Sequence, residues 1–282
     1  MCGIVGYVGG KLASDVILDG LEKLEYRGYD SAGIAVQSEA KITIRKKVGR
    51  LQMLSNSLAE TGIEGHIAIG HTRWATHGAP SDENSHPHYN KDLTIAVVHN
   101  GIIENYMELK KMLIEKGYTF NSETDTEVVV QLVAKLAKEE NLDAFSAFKQ
   151  ALKLVKGSYA FLLVDNTKPD HIYIAKNKSP MMLGLGDGFN IIASDAISVL
   201  DQTKTFIALN DGDCADVTKD SIEIQDYDGN KVEREAKVLD IDPNAASKGT
   251  YEFYMLKEID EQPAVMRRLS TDYLDEAGKP VV

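Results

Sequence analysis

Met1-Cys2-Gly3-Ile4-Val5-Gly6 opens the chain and places a cysteine directly after the initiator methionine. Cysteine is small, so we expect removal of the initiator methionine, which would leave Cys2 with a free α-amino group beside its own thiol. An α-amine has a pKa of roughly 7.7–8.0 and a free thiol about 8.5, so near neutral pH the amine can take the proton from the sulfur. The stretch therefore predicts a nucleophile that carries its own base.

A plainer interpretation of Cys2 stays open at this point. Ile4 and Val5 begin a short apolar run, which places Cys2 at the head of a predicted strand. Position alone favours the view that this cysteine is a small apolar residue near a chain end. Whether Cys2 is a nucleophile or a small apolar residue therefore depends on the other motifs in the sequence.

Composition narrows the class of protein. The 282 residues are 43% hydrophobic and 26% charged, which suits one large globular domain or two small ones. A formal net charge of -12 argues against nucleic acid or an anionic membrane as a main partner. No secretory signal and no apolar run of the ~20 residues that a membrane span needs are visible. The two cysteines, Cys2 and Cys214, form no disulfide framework, and a reducing, cytoplasmic setting is expected.

The secondary-structure pattern predicts an α+β protein. Helices are expected at Leu12–Tyr26, Glu104–Lys116, after Thr124 and at about Asp143–Lys156, whereas short strands follow one another from Tyr159 onward. Many strands with few helices between them favour antiparallel sheets, and two packed sheets with helical layers outside would bury every apolar face. We expect a main domain over 2–250. Residues 251–282 are expected to form a C-terminal helix, kinked or split at Pro263, and a polar linker.

Arg73 lies in the uncommon stretch His71 to Gly78, which follows a predicted buried strand, Ile67–Ile69. A guanidinium fork beside Trp74, Thr76 and His77 offers a site for a carboxylate. The alternative is that Arg73 pairs with an acidic residue on the surface.

Asn100-Gly101 follows a second apolar strand, Leu93–Val98. An Asn amide and a Gly N–H at a strand end can hold a developing oxyanion, and one such donor typically lowers a barrier by about 2.7–4 kcal/mol. The commoner meaning of the pair is a tight turn, although here a helix rather than a strand follows. Thr124 to Glu127 has the spacing of a capping box, which predicts the start of a helix there. Asp125 is expected in the first turn of this helix, where it could hold an ammonium group or serve only as a cap.

Other candidate sites are weaker. His86-Pro87-His88 could ligate a metal, but no cysteine or carboxylate cluster completes a site, so no metal is expected there. Gly184 to Gly188 is glycine-rich but lacks the following helix of a dinucleotide site, and a loop is expected there. Cys214 lies in a strand pattern and is expected in the core.

Together the motifs resemble the class II glutamine amidotransferases. The resemblance rests on five stretches in order, which are Met1–Gly6, Glu25–Gly33, His71–Gly78, Val98–Asn105 and Ser122–Glu127. It extends to the stretch Lys257–Pro263 and is closest to members that carry a pair of sugar-isomerase domains. It also reverses the preference for the plain interpretations of Cys2, Arg73 and Asn100.

The resemblance implies a four-layer αββα sandwich of the N-terminal nucleophile type, with no metal or cofactor. It implies that Cys2 attacks the side-chain amide of L-glutamine, that Asn100 and Gly101 form the oxyanion hole, and that a mobile loop carries Trp74. Further implied site residues are four that hold the ends of glutamine, Arg73, Thr76, His77 and Asp125, and two weaker candidates, Arg27 and His86. Sugar-isomerase domains beyond Val282 and a homodimer of the full-length enzyme are also implied.

Two alternatives remain from the sequence. The chain could be a non-catalytic module that binds glutamine, whose expected mark would be a missing nucleophile or oxyanion group. It could also be an amide hydrolase of the same fold with a different substrate.

Overall fold

The opening stretch forms a buried strand at the centre of the molecule. In a computed structural model, which describes residues 2–39, 41–240, 249–275 and 278–280, every residue of β1 (Gly3–Val8) is buried. Ile4 and Val8 face one side of the strand and Val5 and Tyr7 the other, because side chains alternate along a strand. A strand that is apolar on both faces must be covered on both sides.

The described strands form two antiparallel sheets. The eight-stranded sheet has the order β14-β11-β9-β10-β1-β4-β2-β3, and the six-stranded sheet has the order β13-β12-β8-β7-β6-β5. The other strands are β2 (Ser31–Ser38), β3 (Lys41–Val48), β4 (Ile67–Arg73), β5 (His88–Tyr89), β6 (Ile95–Ile103), β7 (Gly157–Asp165), β8 (Ile172–Asn177), β9 (Met182–Leu185), β10 (Asn190–Ala193), β11 (Thr205–Ala208), β12 (Cys214–Val217), β13 (Ile222–Gln225) and β14 (Ala236–Val238).

Helices cover the outer face of each sheet. These helices are α1 (Ala13–Glu22), α2 (Leu51–Glu60), α3 (Tyr106–Glu115), α4 (Glu127–Glu139) and α5 (Ala144–Leu154), and a further helix, α6 (Tyr254–Tyr273), follows later in the described chain. One apolar cluster joins α1 and α2 to the eight-stranded sheet, and another joins α3, α4 and α5 to the six-stranded sheet. A third cluster lies between the two sheets. The predicted four-layer αββα sandwich is therefore confirmed.

β7 shows how the layers are specified by sequence. Ala160, Leu162 and Val164 lie in the cluster between the sheets, whereas Phe161 and Leu163 pack toward the helices. All five side chains are fully buried. This two-residue period fixes the register of the strand, since a slip of one position would exchange the two faces.

Three local predictions need correction. The predicted helix at Leu12–Tyr26 ends at Glu22 and is followed by a short 3-10 turn, Glu25–Arg27. Gly184, expected in a loop, lies inside β9, where its missing side chain leaves room for Ile191 and Phe206. The expected strand at Leu93–Val98 instead begins at Ile95 and runs to Ile103.

The chain divides into two compact units, Met1–Ile241 and Asp242–Val282. The second unit contains α6, which is a single helix with Pro263 inside it, so of the two predicted outcomes, a kink or a split, the split is wrong. Neighbours of Pro263 such as Glu261 and Met266 are good helix formers on an exposed surface, where water can satisfy the carbonyl that proline leaves unpaired. Part of the predicted polar linker, residues 276–277 and 281–282, lies outside the described residues.

Candidate active site

One cavity of about 400 Å³ brings together every site residue that the sequence suggested. Cys2 lies at the head of β1, Arg73 ends β4, and Asn100 lies in β6 of the facing sheet. β1 and β4 pair directly, with Gly3 opposite Thr72, so the two strands deliver Cys2 and Arg73 to the same edge. The ten predicted residues that line the cavity are Cys2, Arg27, Arg73, Trp74, Thr76, His77, His86, Asn100, Gly101 and Asp125.

The sulfur of Cys2 is partly exposed to this cavity and hydrogen-bonded to the backbone of Trp74. The Trp74 N–H donates to Sγ over 3.2 Å, and the thiol lies 3.5 Å from the carbonyl of the same residue. Burial raises the pKa of the Cys2 thiol, although the Trp74 N–H opposes that change. The sulfur is therefore a protonated thiol near neutral pH and needs a base before it can attack.

Asn100 connects the nucleophile to the facing sheet. Its Nδ2 donates to the carbonyl oxygen of Cys2 over 3.0 Å, and its Oδ1 lies 3.0 Å from Nε2 of His71. A side-chain amide has two N–H donors. One is used by Cys2, and the other is available to an oxygen in the cavity.

Gly101 adopts a backbone conformation that other residues rarely take. Its φ is 142°, and an added Cβ would lie 2.0 Å from the carbonyl oxygen of Ser158. The predicted alternative of a tight turn at Asn100-Gly101 is wrong, because both residues lie inside β6 and pair with Ala160 and Tyr159. Glycine is required here by the close approach of β7.

Arg73 is buried, and its guanidinium is only partly satisfied. Nη2 donates to the carbonyl of His77 and, over 3.0 Å, to the carbonyl of Gly78, whereas Nη1 has no partner. Across the described ranges no carboxylate forms an ion pair with Arg73, so the predicted alternative of a surface ion pair is wrong. A buried, unpaired N–H group beside a cavity is suited to an anionic group of a ligand.

His77 and Asp125 also line the cavity. The His77 ring packs edge-on against Tyr106 at 5.4 Å, and its Nδ1 has no partner. Asp125 is buried, and its Oδ2 accepts a 2.8 Å hydrogen bond from the N–H of Ile103. Thr76 is exposed at the mouth.

Asp125 precedes α4 instead of lying in its first turn, which the sequence had predicted. The expected capping pair is also absent. The Glu127 carboxylate accepts hydrogen bonds from Asn121 and Ser122, whereas the Thr124 hydroxyl pairs with His88. These competing partners explain why the capping-box spacing does not produce a capping box.

Three weaker candidates also line the cavity. Trp74 is 47% exposed, and its ring meets Tyr29 edge-on at 5.5 Å. Arg27 forms an ion pair with Asp195. His86 is buried, and its Nδ1 accepts a 3.2 Å hydrogen bond from the backbone N–H of His99. This nitrogen is therefore not available to a ligand.

Two residues that sequence reasoning missed support these groups. Asp30 accepts a 2.8 Å hydrogen bond from the N–H of Ala75, which fixes the segment after Arg73. His71 is buried in contact with Asn100. Asp30 lies in the motif Glu25–Gly33 and His71 in the motif His71–Gly78. Their membership of these family motifs was the sequence signal that pointed to them.

Neither metal binding nor membrane insertion receives support from the described residues. Within them no group of three or more His, Cys, Asp or Glu side chains is arranged to hold a metal ion. No helix in the described part of the chain is long and apolar enough to cross a membrane.

Comparison with known proteins adds independent information. Residues 71–201 match the model of the family described as glutamine amidotransferase domain. Over all 282 residues the chain is 51% identical to a glutamine–fructose-6-phosphate aminotransferase (isomerizing) of Streptococcus pneumoniae, covering 46% of that protein. It is 50% identical over 279 residues to the protein of the same name from Lactococcus lactis, again covering 46%. The chain thus spans about half the length of the curated relatives that it matches.

A solved structure shares the fold. The chain matches the glutamine phosphoribosylpyrophosphate amidotransferase of Bacillus subtilis, solved with ADP and GMP, with a TM-score of 0.71 and 25% identity. The match covers 82% of this chain and 50% of that one.

Proposed function

We propose that this chain belongs to the glutamine amidotransferase family and hydrolyses the side-chain amide of L-glutamine to glutamate and ammonia through a thioester on Cys2. One observation carries the proposal. A single cavity holds the Cys2 thiol, the amide donor of Asn100 and the unpaired Nη1 of Arg73. A nucleophile, an oxyanion donor and an anchor for a carboxylate are the parts that amide hydrolysis of an amino acid requires.

The first chemical step forms the thioester. With Met1 removed, the α-amine of Cys2 takes the proton from Sγ, and the thiolate adds to the amide carbon of glutamine. The second N–H of Asn100 and the backbone N–H of Gly101 stabilise the oxyanion. The protonated amine then gives its proton to the departing nitrogen, which leaves as ammonia.

The second step releases glutamate. The same amine removes a proton from a water molecule, which attacks the thioester carbon. The sulfur leaves as a thiolate and recovers its proton from the amine. Since the base is used and restored in each half of the reaction, neither a metal nor a cofactor is required.

The ends of glutamine are assigned to polar groups along the cavity. Nη1 of Arg73 is proposed to hold the α-carboxylate, helped by Thr76 and His77, and Asp125 to hold the α-ammonium. Support comes from the unpaired Nη1 of Arg73 and Nδ1 of His77. Asp125 accepts a hydrogen bond from the Ile103 N–H on Oδ2 and a longer one, of 3.4 Å, from the Thr126 hydroxyl on Oδ1. Each carboxylate oxygen can accept more than one hydrogen bond, so both keep lone pairs for an ammonium group.

We also propose a role in a longer enzyme. Because the relatives are named as aminotransferases that use fructose 6-phosphate, ammonia would pass to that sugar in sugar-isomerase domains and yield glucosamine 6-phosphate. The resemblance supports a homodimer of that enzyme. A free thiol nucleophile supports a reducing cytoplasm as its location.

The decisive experiment combines intact mass with an assay of glutamate release. The wild type, Cys2→Ala and Cys214→Ala are compared, since Cys214 is a fully buried cysteine remote from the cavity and serves as the matched control. A chain lighter by one methionine that releases glutamate, together with a silent Cys2→Ala variant and an active Cys214→Ala variant, supports the proposal. Equal activity of Cys2→Ala and the wild type would overturn it. Preference for asparagine or another amide would favour the alternative substrate.

A further inference from the structure

We infer that His71 is a positioning residue that holds the Asn100 amide in the orientation the oxyanion needs. The inference rests on the proposed function and extends it to a residue that lines the cavity but has no part in the chemical steps above. Nε2 of His71 lies 3.0 Å from Oδ1 of Asn100 and 3.0 Å from the carbonyl oxygen of His99.

The orientation of the Asn100 amide follows from its other partner. The carbonyl oxygen of Cys2 only accepts hydrogen bonds, so the amide atom 3.0 Å away from it must be the nitrogen. The oxygen of the same amide therefore faces His71. A flipped amide would set its oxygen against the Cys2 carbonyl and turn its N–H groups away from the nucleophile.

The tautomer of His71 follows in turn. Both neighbours of Nε2 are acceptors, so Nε2 must carry the proton. Nδ1 is then the bare nitrogen, and it is buried without a partner. A neutral ring has a single N–H, and among the described residues the acceptors that it reaches are the Asn100 side chain and the carbonyl of His99.

The surroundings keep this ring neutral and fixed. His71 is 1% exposed, and its ring stacks on His86 with the centroids 4.2 Å apart. Burial, together with the nearby Arg73 guanidinium, lowers the pKa of His71 to about 3. His71 therefore presents one N–H donor to Asn100 throughout the neutral range.

A merely structural histidine and a positioning histidine differ in kinetics. Asn100 stabilises charge that develops only in the transition state, so a misaligned amide should lower kcat while KM for glutamine changes little. His71→Phe keeps a planar ring against His86 but removes the N–H. His71→Gln is the conservative variant, since its terminal NH₂ can replace Nε2.

The first test is a double-mutant cycle on glutamate release with His71→Phe and Asn100→Ala. We expect His71→Phe alone to reduce kcat about 10²-fold, a loss of the size seen when one oxyanion donor is removed. In the Asn100→Ala background the same change should reduce kcat less than about threefold, because its target is gone. His71→Gln should recover most of the wild-type kcat. An equal loss in both backgrounds would overturn the inference.

The second test needs no activity. In wild-type protein with ¹⁵N-labelled histidine, the His71 signals, identified by their loss in His71→Gln, should show a proton on Nε2 and none on Nδ1. A proton on Nδ1 would overturn the inference whatever the activities of the His71 variants. If the wild type releases no glutamate the proposed function fails, whereas this measurement still decides whether His71 holds the amide.

Discussion

The backbone N–H of Trp74 donates a 3.2 Å hydrogen bond to Sγ of Cys2. Trp74 directly follows the last residue of β4, so the segment that leaves this strand is tied to the nucleophile. A hydrogen bond to sulfur favours the thiolate and opposes the effect of burial on the thiol pKa. The segment from Trp74 to His77 therefore both borders the cavity and tunes its nucleophile.

Asp30 should control the order of this segment. Its Oδ2 accepts the Ala75 N–H over 2.8 Å, and its own N–H donates to the Arg73 carbonyl over 3.0 Å. Asp30→Ala removes the first bond, so we expect faster hydrogen exchange at Ala75 and a fall in kcat/KM of about tenfold, the scale of one hydrogen bond to a charged group. Asp19→Ala, in an exposed pair with Lys23, is the control. Unchanged exchange in Asp30→Ala would contradict this role.

Gly101 should tolerate no side chain. Gly101→Ala would force a Cβ to within 2.0 Å of the Ser158 carbonyl at a φ of 142°, so β6 and β7 would have to separate. Since the N–H of Gly101 is a proposed oxyanion donor, kcat should fall at least about 10²-fold. Urea unfolding measures the loss of stability, and glutamate release measures the loss of kcat. Gly62→Ala, with open space around its Cβ, should change neither, and a fully active Gly101→Ala would refute the assignment.

Arg73 should not be replaceable by lysine. The guanidinium reaches the His77 and Gly78 carbonyls with Nη2 while Nη1 remains for a ligand, and a single ammonium cannot occupy both places. We expect Arg73→Lys to raise KM for glutamine more than about tenfold, as loss of a charged hydrogen bond would. Arg267→Lys, an exposed change on α6, should leave KM unchanged. Equal KM values for the two variants would argue against the carboxylate role of Arg73.

The sequence predicted the sandwich and the set of residues around its cavity for a physical reason. Alternating apolar positions in β1 and β7 specify two buried faces per strand. The chemical groups sit in short motifs at or near strand ends. Local pattern is enough to predict the packed sheets, whereas the resemblance to a known family assigned the motif residues to one site.

Contacts between distant segments could not be predicted in this way. His71 and Asn100 are 29 positions apart and meet only because the two sheets pack face to face. Gly101 looked like part of a turn because its unusual φ is imposed by β7 and not by its neighbours in sequence. The role of Asp30 likewise depends on a hydrogen bond across 45 positions.

Acid should unfold the chain through histidines buried near the cavity. His71, His86, His88 and His99 are all buried, and burial lowers the pKa of each in the folded state, to about 3 for His71. In the unfolded chain each returns to a pKa of about 6.5. Below that pH the unfolded chain binds protons that the folded chain excludes.

Falling pH should therefore destabilise the folded chain. The stability contributed by these neutral rings is fully present above about pH 6.5 and is lost progressively as the pH falls, by up to about 1.4 kcal/mol per pH unit for each histidine. The free energy of unfolding, measured in urea between pH 5 and 8, should therefore decline steeply below pH 6.5. His88→Gln can keep a polar contact to Thr124 but has no ring to protonate. In this variant unfolding should take up about one proton fewer, so the free energy of unfolding should fall less steeply with falling pH. His66→Gln, at an exposed position, should leave the slope as it is. If the free energy of unfolding had the same pH slope in His88→Gln and in the wild type, His88 would already be protonated in the folded chain. That result would contradict the buried, neutral ring that the structure shows.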